Sequence, residues 1–214
     1  MNSKHRLVLM ILLLLLLALF AFDAYELANE RLYWFDQPVF TFFYDLRSPL
    51  MNRIMKTVTF VGSLGFSIFL AFISFVIMLI KKIDIRKAVM PLVALLGDWA
   101  LINGLKLFFA RPRPSLERLA EVTGFSFPSG HAVLSITVLG ILGYILWSEL
   151  KSKQLRWASV IIAFLLILAI GISRVYLGVH YASDIIAGYC VGGIWLTACI
   201  RLARADTAKL ENDY

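Results

Sequence analysis

Ser173-Arg174-Val175-Tyr176-Leu177-Gly178-Val179-His180-Tyr181-Ala182-Ser183-Asp184 is the stretch around which this chain is organised. An arginine leads, a histidine follows, and an aspartate comes four residues after the histidine. If the chain is helical from His180 on, positions four apart share a face. Asp184 then accepts a hydrogen bond from one ring nitrogen of His180. That bond fixes the tautomer and leaves the lone pair of the other nitrogen free to attack. Arg174 offers a planar fork of donors suited to phosphate oxygens. The stretch reads as a nucleophilic histidine beside an anion site. Taken alone, a His-x-x-x-Asp is more often a structural tie at a helix start, so the rest of the chain has to decide.

Working outward, the stretch lies between two long apolar runs. Hydrophobic residues make up 60% of the 214 residues and charged residues 16%, where a soluble domain has roughly 45–50% and 25%. The chain therefore reads as an integral membrane protein. Its net charge is +7, but most cations sit in the gaps between apolar runs. That is a membrane-topology pattern rather than a nucleic-acid face. Cys190 and Cys199 fall in the last run, and nine helical residues hold them roughly 13 Å apart, too far for a disulfide. They read as inert core thiols, and no zinc-type Cys/His spacing exists.

Six runs approach the ~20 residues a bilayer needs: 7–22, 57–80, 88–109, 130–148, 157–173 and 181–200. The first follows Lys4, His5 and Arg6, as a signal peptide would. It is long for one and lacks an Ala-x-Ala site, so it reads as a retained first span, with His5 idle in its charged flank. Residues 23–56 interleave Asp23, Glu26, Glu30, Asp36 and Asp45 with Trp34, Phe35, Phe40, Phe42, Phe43 and Tyr44. Such aromatic density beside a membrane reads as an interfacial belt with a short helix in the headgroup plane. Pro91 is expected in the first turn of run three, where its missing N–H does no harm. Asp98 inside that run reads as a partner for a polar group of another span or as the lining of a groove, and Asn103 as an interhelical hydrogen bonder. Gly188 and Gly192 are spaced for close helix contact. The expected fold is an all-α polytopic membrane helix bundle of six transmembrane helices, with N- and C-termini cytoplasmic. It forms one domain over 1–214: a first span and outer segment (1–56), a bundle (57–204) and a cytoplasmic tail (205–214). With that orientation twelve of the 21 Lys and Arg residues lie inside, all in short loops or near span ends.

The other nine include two outer groups that need another explanation. Lys106 ends run three, and Arg111-Pro112-Arg113-Pro114 follows. Proline restricts its own backbone and its predecessor's, so both arginines sit on a stiff extended segment. Phe127-Pro128-Ser129-Gly130-His131 opens run four. Serine and glycine at a helix N-terminus expose backbone N–H groups at the positive end of the dipole, which suits an anion. The topology puts the ends of runs three and five and the starts of runs four and six on one side. Lys106, Arg113, Ser129, Gly130, His131, Arg174, His180 and Asp184 are thus free to converge.

These three pieces resemble the three motifs of the type 2 phosphatidic acid phosphatase superfamily, which also holds vanadium haloperoxidases and glucose-6-phosphatase. The first is Lys, six residues, Arg-Pro, here Lys106 to Arg113-Pro114. The second is Pro-Ser-Gly-His at 128–131. The third is Ser-Arg, five residues, His, three residues, Asp, here Ser173-Arg174, His180 and Asp184. All match in order over 106–184, while 1–56 carry no motif. The resemblance implies that His180 attacks phosphorus to form a phosphohistidine and that Asp184 orients it. His131 would be general acid toward the leaving oxygen and then base toward water. Lys106, Arg113 and Arg174, with Ser129 and the Gly130 N–H, would hold the phosphate. Phosphoryl transfer asks mainly for positioning and charge compensation. Three fixed cations meet that need and would repel a metal, so neither metal nor other cofactor is expected. Arg111 lies outside the matched positions, and phosphate, headgroups and solvent all remain open for it.

The function expected is an integral membrane lipid phosphatase at the outer face of a bacterial cytoplasmic membrane. Its partners would be the bilayer and a phospholipid or polyprenyl phosphate, not nucleic acid. Undecaprenyl diphosphate leads, with phosphatidylglycerol phosphate close behind and phosphatidic acid also fitting. The competing reading is a non-catalytic lipid-phosphate binder or transporter. The His131, His180 and Asp184 set counts against it, since binding needs the cations but not a nucleophile. Vanadate-dependent oxidation is disfavoured by the membrane setting.

Overall fold

A computed structural model describes residues 3–115 and 117–204. The tail at 205–214 and the side chains of His5 and Arg204 lie outside the described residues, so the expectations made for them stay there. Among the described residues the chain is helix and loop, with no strand. We number the helices α1 (Ser3–Ala28), α2 (Tyr33–Asp45), α3 (Pro49–Val61), α4 (Leu64–Ile80), α5 (Ile85–Phe109), α6 (Gly130–Glu149), α7 (Lys153–Tyr176) and α8 (Ala182–Arg204). Five are each long and apolar enough to cross a membrane, and α3 with α4 makes a sixth crossing if the bent pair counts as one. This is a multi-pass membrane protein.

The second expected span is broken. The chain bends by 48° between α3 and α4. Ser63 caps α4 by accepting from the Phe66 N–H. A Cβ at Gly62 would come within 2.4 Å of Ile170 and 3.3 Å of His131, so only a glycine lets the bend sit this close to α7 and α6. Helix α3 starts earlier than the apolar run, because Ser48 caps it by accepting from the Met51 N–H and Pro49 fits its first turn.

Helix α5 also starts early. Asp84 accepts from the Arg86 N–H, so the helix begins at Ile85 and Pro91 lies inside it rather than in its first turn. The N–H that a residue there would donate is lost, contrary to the sequence expectation. At the far end Ala110 takes a left-handed conformation with φ 44°, and the Arg-Pro-Arg-Pro segment cannot continue the helix. Asn103 donates to the Trp99 carbonyl of its own helix at 2.7 Å rather than across to another span. Asp98 is fully buried and faces the Thr137 hydroxyl of α6, a neighbouring span, at a distance or angle short of a well-formed hydrogen bond.

Helix α6 carries a π-turn at Ser135–Leu139. Helix α8 packs on it through the two glycines expected to allow close approach. A Cβ at Gly188 would meet Ser129 O at 2.8 Å, and one at Gly192 would meet Val133 O at 2.9 Å. Both cysteines are buried and free. Where α7 gives way to α8, Tyr176, Leu177 and Val179 pack with Met51 and Met55 of α3 and with Leu119 and Val122 of the α5–α6 loop. Arg47 donates to the Tyr176 carbonyl, and the Tyr176 hydroxyl donates to Asn52 at 2.7 Å. The α7–α8 connection is thus held from two sides.

Candidate active site

All eight expected residues gather at one end of the bundle. Lys106 is in the last turn of α5, and Arg113 is on the loop after it. Ser129, Gly130 and His131 open α6, Arg174 is in the last turn of α7, and Asp184 is in the first turn of α8. His180 lies between α7 and α8. Arg174, His180, Arg113 and Lys106 are all near enough to His131 to act on it electrostatically.

The His180–Asp184 contact forms at 3.2 Å from Nδ1 to Oδ2. It does not arise as two positions on one helix face, because α8 begins only at Ala182. Asp184 instead turns back to cap the helix start, with Oδ2 accepting from the Tyr181 N–H at 2.9 Å. His180 stands just before that start and shares the same oxygen. The Ser126 hydroxyl also donates to Oδ2 and lies 3.3 Å from Nδ1. On the other edge of the ring, Nε2 faces Arg113 Nη1 at 3.2 Å. With Nδ1 protonated toward the carboxylate, Nε2 carries the lone pair. Burial pushes the His180 imidazole down to about 4, further than the hydrogen bond and charge of Asp184 raise it. The ring is neutral over the physiological range.

The cations differ in how they are held. Arg113 is braced by the carbonyls of Gly124, Thr123 and Val179 at 2.9, 3.0 and 2.9 Å. Burial pushes its guanidinium down, with Asp184 opposing. Lys106 Nζ donates to the Phe125 and Ser126 carbonyls at 2.5 and 3.2 Å. Arg174 Nη1 donates to Thr59 Oγ1 of α3 at 2.7 Å. Its Nε, and the Ser129 hydroxyl, are buried without a hydrogen-bond partner among the described residues. A buried donor is costly to leave unpaired, so these two suit a polar group entering the site.

Arg111, for which phosphate, headgroups and solvent are all open, is held by two carboxylates. Its Nη1 donates to Asp184 Oδ1 and its Nη2 to Asp36 Oδ2, both at 2.6 Å. Burial pulls its guanidinium down, but the two carboxylates more than reverse this and raise it. Asp36 on α2 is buried and also accepts from Ser183 N and Oγ. The sequence reading assigned no contact to Asp36, Thr59, Ser126 or Gly62. Only Asp36 left a signal, as an acid four residues from Phe40 on one face of a short aromatic helix.

Two cavities border this end. The larger, of 820 Å³, opens between α1, α2 and residues 110–115, with Glu30, Asp36 and Arg111 as charged lining. None of His131, Arg174 or His180 lines it, whereas Arg111 and Asp36, which hold Asp184 and Ser183, do. The other, of 730 Å³, is lined by Lys56, Thr59, Arg118 and Thr123. It borders the supports of two site cations, because Thr59 holds Arg174 and the Thr123 carbonyl holds Arg113. Among the described residues no three His, Cys, Asp or Glu side chains are placed to hold a metal ion.

Residues 87–208 match the model of the PAP2 superfamily. Phosphatidylglycerophosphatase B of Bacillus subtilis is 34% identical over 154 residues, covering 69% of this chain and 72% of its own. The crystal structure of a transmembrane PAP2 type phosphatidylglycerolphosphate phosphatase from the same organism superposes with a TM-score of 0.85. It is 26% identical and covers 91% of this chain and 96% of that one. Aquifex aeolicus LpxE shares the fold, with a TM-score of 0.63 at 24% identity over 78% of this chain and 95% of that one. The chain belongs to the PAP2 superfamily, and it is a phosphatase.

Proposed function

We propose that this PAP2 phosphatase hydrolyses the phosphate or diphosphate headgroup of a membrane lipid through a phosphohistidine on His180. The observation that carries the reading is the two-sided setting of that ring. Nδ1 is on Asp184, and Nε2 is beside Arg113, with the unpaired Arg174 Nε and Ser129 hydroxyl among the donors at the same end. Nε2 attacks phosphorus, and the bond from phosphorus to the lipid oxygen breaks. His131 gives its proton to that oxygen. Water then attacks the phosphohistidine, His131 takes the proton, and inorganic phosphate leaves. Lys106, Arg113, Arg174, Ser129 and the Gly130 N–H hold the non-bridging oxygens, where charge compensation lowers the barrier most. The reaction needs no metal in this scheme.

The substrate is read as phosphatidylglycerol phosphate, undecaprenyl diphosphate or phosphatidic acid. The phosphatidylglycerophosphatase names of the Bacillus subtilis matches move phosphatidylglycerol phosphate ahead of undecaprenyl diphosphate. Positive loop charge supports cytoplasmic termini and a site facing out of a bacterial cytoplasmic membrane. The unit is one domain, with the N-terminal 1–56 included, since Asp36 reaches Arg111 and Ser183.

The test is phosphate release by the purified protein in detergent from each of the three lipids, with and without EDTA, alongside His180→Ala. Release that survives EDTA, with acid-labile phosphate trapped on the wild type but not on the variant, supports the scheme. Binding of all three lipids with no release would make the protein a binder. Release that depends on a metal would overturn the chemistry.

A further inference from the structure

Behind Asp184 lies a buried charged network that the three motifs do not contain. Asp36 is 1% exposed. Its Oδ1 accepts from the Ser183 N–H at 2.9 Å, and its Oδ2 accepts from the Ser183 hydroxyl at 2.7 Å and Arg111 Nη2 at 2.6 Å. The other arm of Arg111 donates to Ser183 Oγ at 2.8 Å and Asp184 Oδ1 at 2.6 Å. The guanidinium also lies 4.1 Å above the Tyr181 ring. Asp23 of α1, buried as well, is close enough to act on Asp36, Arg111 and Asp184.

A tie between α2 and α8 needs none of this. Apolar contacts hold helices together without the desolvation cost of a buried ion pair. Here the chain of charge ends on the reacting pair. Asp184 has two oxygens: Oδ2 serves His180, Ser126 and the Tyr181 N–H, and Oδ1 serves Arg111. Fixing Oδ1 fixes the rotation of the carboxylate and so keeps Oδ2 on Nδ1. The guanidinium also draws charge from Asp184 and weakens its hold on an imidazolium, while Asp36 offsets the guanidinium.

We propose that Arg111 and Asp36 are positioning residues, which set the orientation of Asp184 and through it the basicity of His180. Helix α2 thereby becomes part of the catalytic apparatus. The inference rests on the reading of His180 as the nucleophile. The charged groups facing His180 are Asp184 of α8, Arg174 of α7 and Arg113 of the α5–α6 loop, with His131 of α6 and Lys106 of α5 close by. Arg111, Asp36 and Asp23 act from behind Asp184.

The two substitutions have opposite signs. Arg111→Gln leaves Asp184 a stronger acceptor, so His180 takes its second proton more readily and its titration midpoint rises. Asp36→Asn leaves Arg111 committed to Asp184 alone, so the midpoint falls. The experiment is a pH titration of the full chain in detergent with 15N-labelled histidine, the His180 signal being assigned by its loss in His180→Ala. The expected result is a rise of about one pH unit for Arg111→Gln, a shift the other way for Asp36→Asn, and a return toward wild type for Arg111→Lys. In turnover, Arg111→Gln lowers kcat by about tenfold with KM nearly unchanged, as for loss of a group that acts only on the reacting pair. Asp36→Asn then adds little in the Arg111→Gln background. Should Arg111→Gln fail to fold, Arg111→Lys and Asp36→Asn carry the same sign test. Midpoints that stay in place, or move the same way in both variants, would make the network a structural tie and end the proposal. The titration does not depend on turnover. Wild type that releases no phosphate would remove the phosphatase mechanism, while opposite shifts would still establish that the network sets the His180 proton.

Discussion

Arg111 and Arg113 are two residues apart on one proline-stiffened segment, and they serve opposite sides of the same pair. Arg113 faces Nε2 of His180, the edge that attacks, and is braced by backbone carbonyls. Arg111 faces Oδ1 of Asp184, the edge away from the reaction, and is locked between carboxylates. The front holds unpaired donors at Arg174 and Ser129. The back holds a network in which the Asp36, Ser183 and Asp184 side chains are hydrogen-bonded. A site that must exchange bonds with a substrate keeps donors in reserve where the substrate arrives. It uses charge-paired bonds on the carboxylate whose geometry must not change, and in the back only Asp23 Oδ2 has no hydrogen-bond partner among the described residues.

The largest effect should come from the residue the two sides share. His180→Ala is expected to lower kcat by at least about 10³-fold, since removing the nucleophile leaves only the binding groups. Phosphate release measured under saturating lipid checks this. A residual rate within tenfold of wild type would place the nucleophile elsewhere and dissolve the distinction between front and back. Next comes the front alone. Arg174→Ala is expected to cost about 10²–10³-fold in kcat/KM, as for loss of one donor to a developing oxyanion. Ser129→Ala should cost less, because a neutral hydroxyl gives a weaker bond to phosphate than a guanidinium. Equal losses for the two would mean that charge is not what the front supplies.

The pH dependence separates the sides further. His180 sits near 4 rather than its ordinary 6.5, chiefly through burial. The neutral ring therefore persists as pH falls from neutrality, and kcat/KM should lose its nucleophile only as pH drops through about 4. The same lowered value acts on stability. Between 6.5 and about 4 the unfolded imidazole binds a proton that the folded one refuses. Folding stability contributed by this group is thus full above 6.5 and is lost as pH falls through that window. A kcat/KM profile with its acid limb at the ordinary histidine value, unmoved by substitutions at Arg111, would show His180 to be solvated rather than buried.

Much of the front was legible in the sequence, and the reason is local. Lys106, Arg113, Ser129, Gly130, His131, Arg174, His180 and Asp184 all sit at ends of apolar runs, and run order alone puts those ends on one side. The back was not legible, because it depends on packing between distant segments. Asp36 meets Arg111 across 75 residues and Ser183 across 147. The four-residue spacing of Asp36 and Phe40 puts this carboxylate on the buried face of α2, but nothing in the stretch says which distant residue it meets. Helix ends depart from the hydropathy pattern where capping side chains override it. Asp84 moves the start of α5 ahead of its apolar run, and Ser48 and Pro49 do the same for α3. The break at Gly62 is invisible to a hydropathy window, since residues on both sides of it are apolar.

That break carries the smallest effect and the sharpest contrast. Gly62 and Gly65 are three residues apart, and both sit beside apolar helix. A Cβ at Gly62 would press to 2.4 Å from Ile170 Cγ2 and 3.3 Å from the His131 ring, while one at Gly65 meets nothing within 4 Å. Gly62→Ala should therefore destabilise by about 1–3 kcal/mol, as overpacking does, and push on a residue of the front. Gly65→Ala, inside α4, should be neutral or stabilise by up to about 1 kcal/mol, because alanine loses less backbone entropy in a helix. Thermal unfolding in one detergent measures both, and phosphate release from the folded variants follows. If Gly62→Ala loses stability but not activity, His131 tolerates displacement and the general-acid geometry is loose. If it loses kcat while Gly65→Ala does not, the bend between α3 and α4 is what seats His131 against the leaving oxygen. Helix α3, which also holds Arg174 through Thr59, then belongs to the front as α2 belongs to the back.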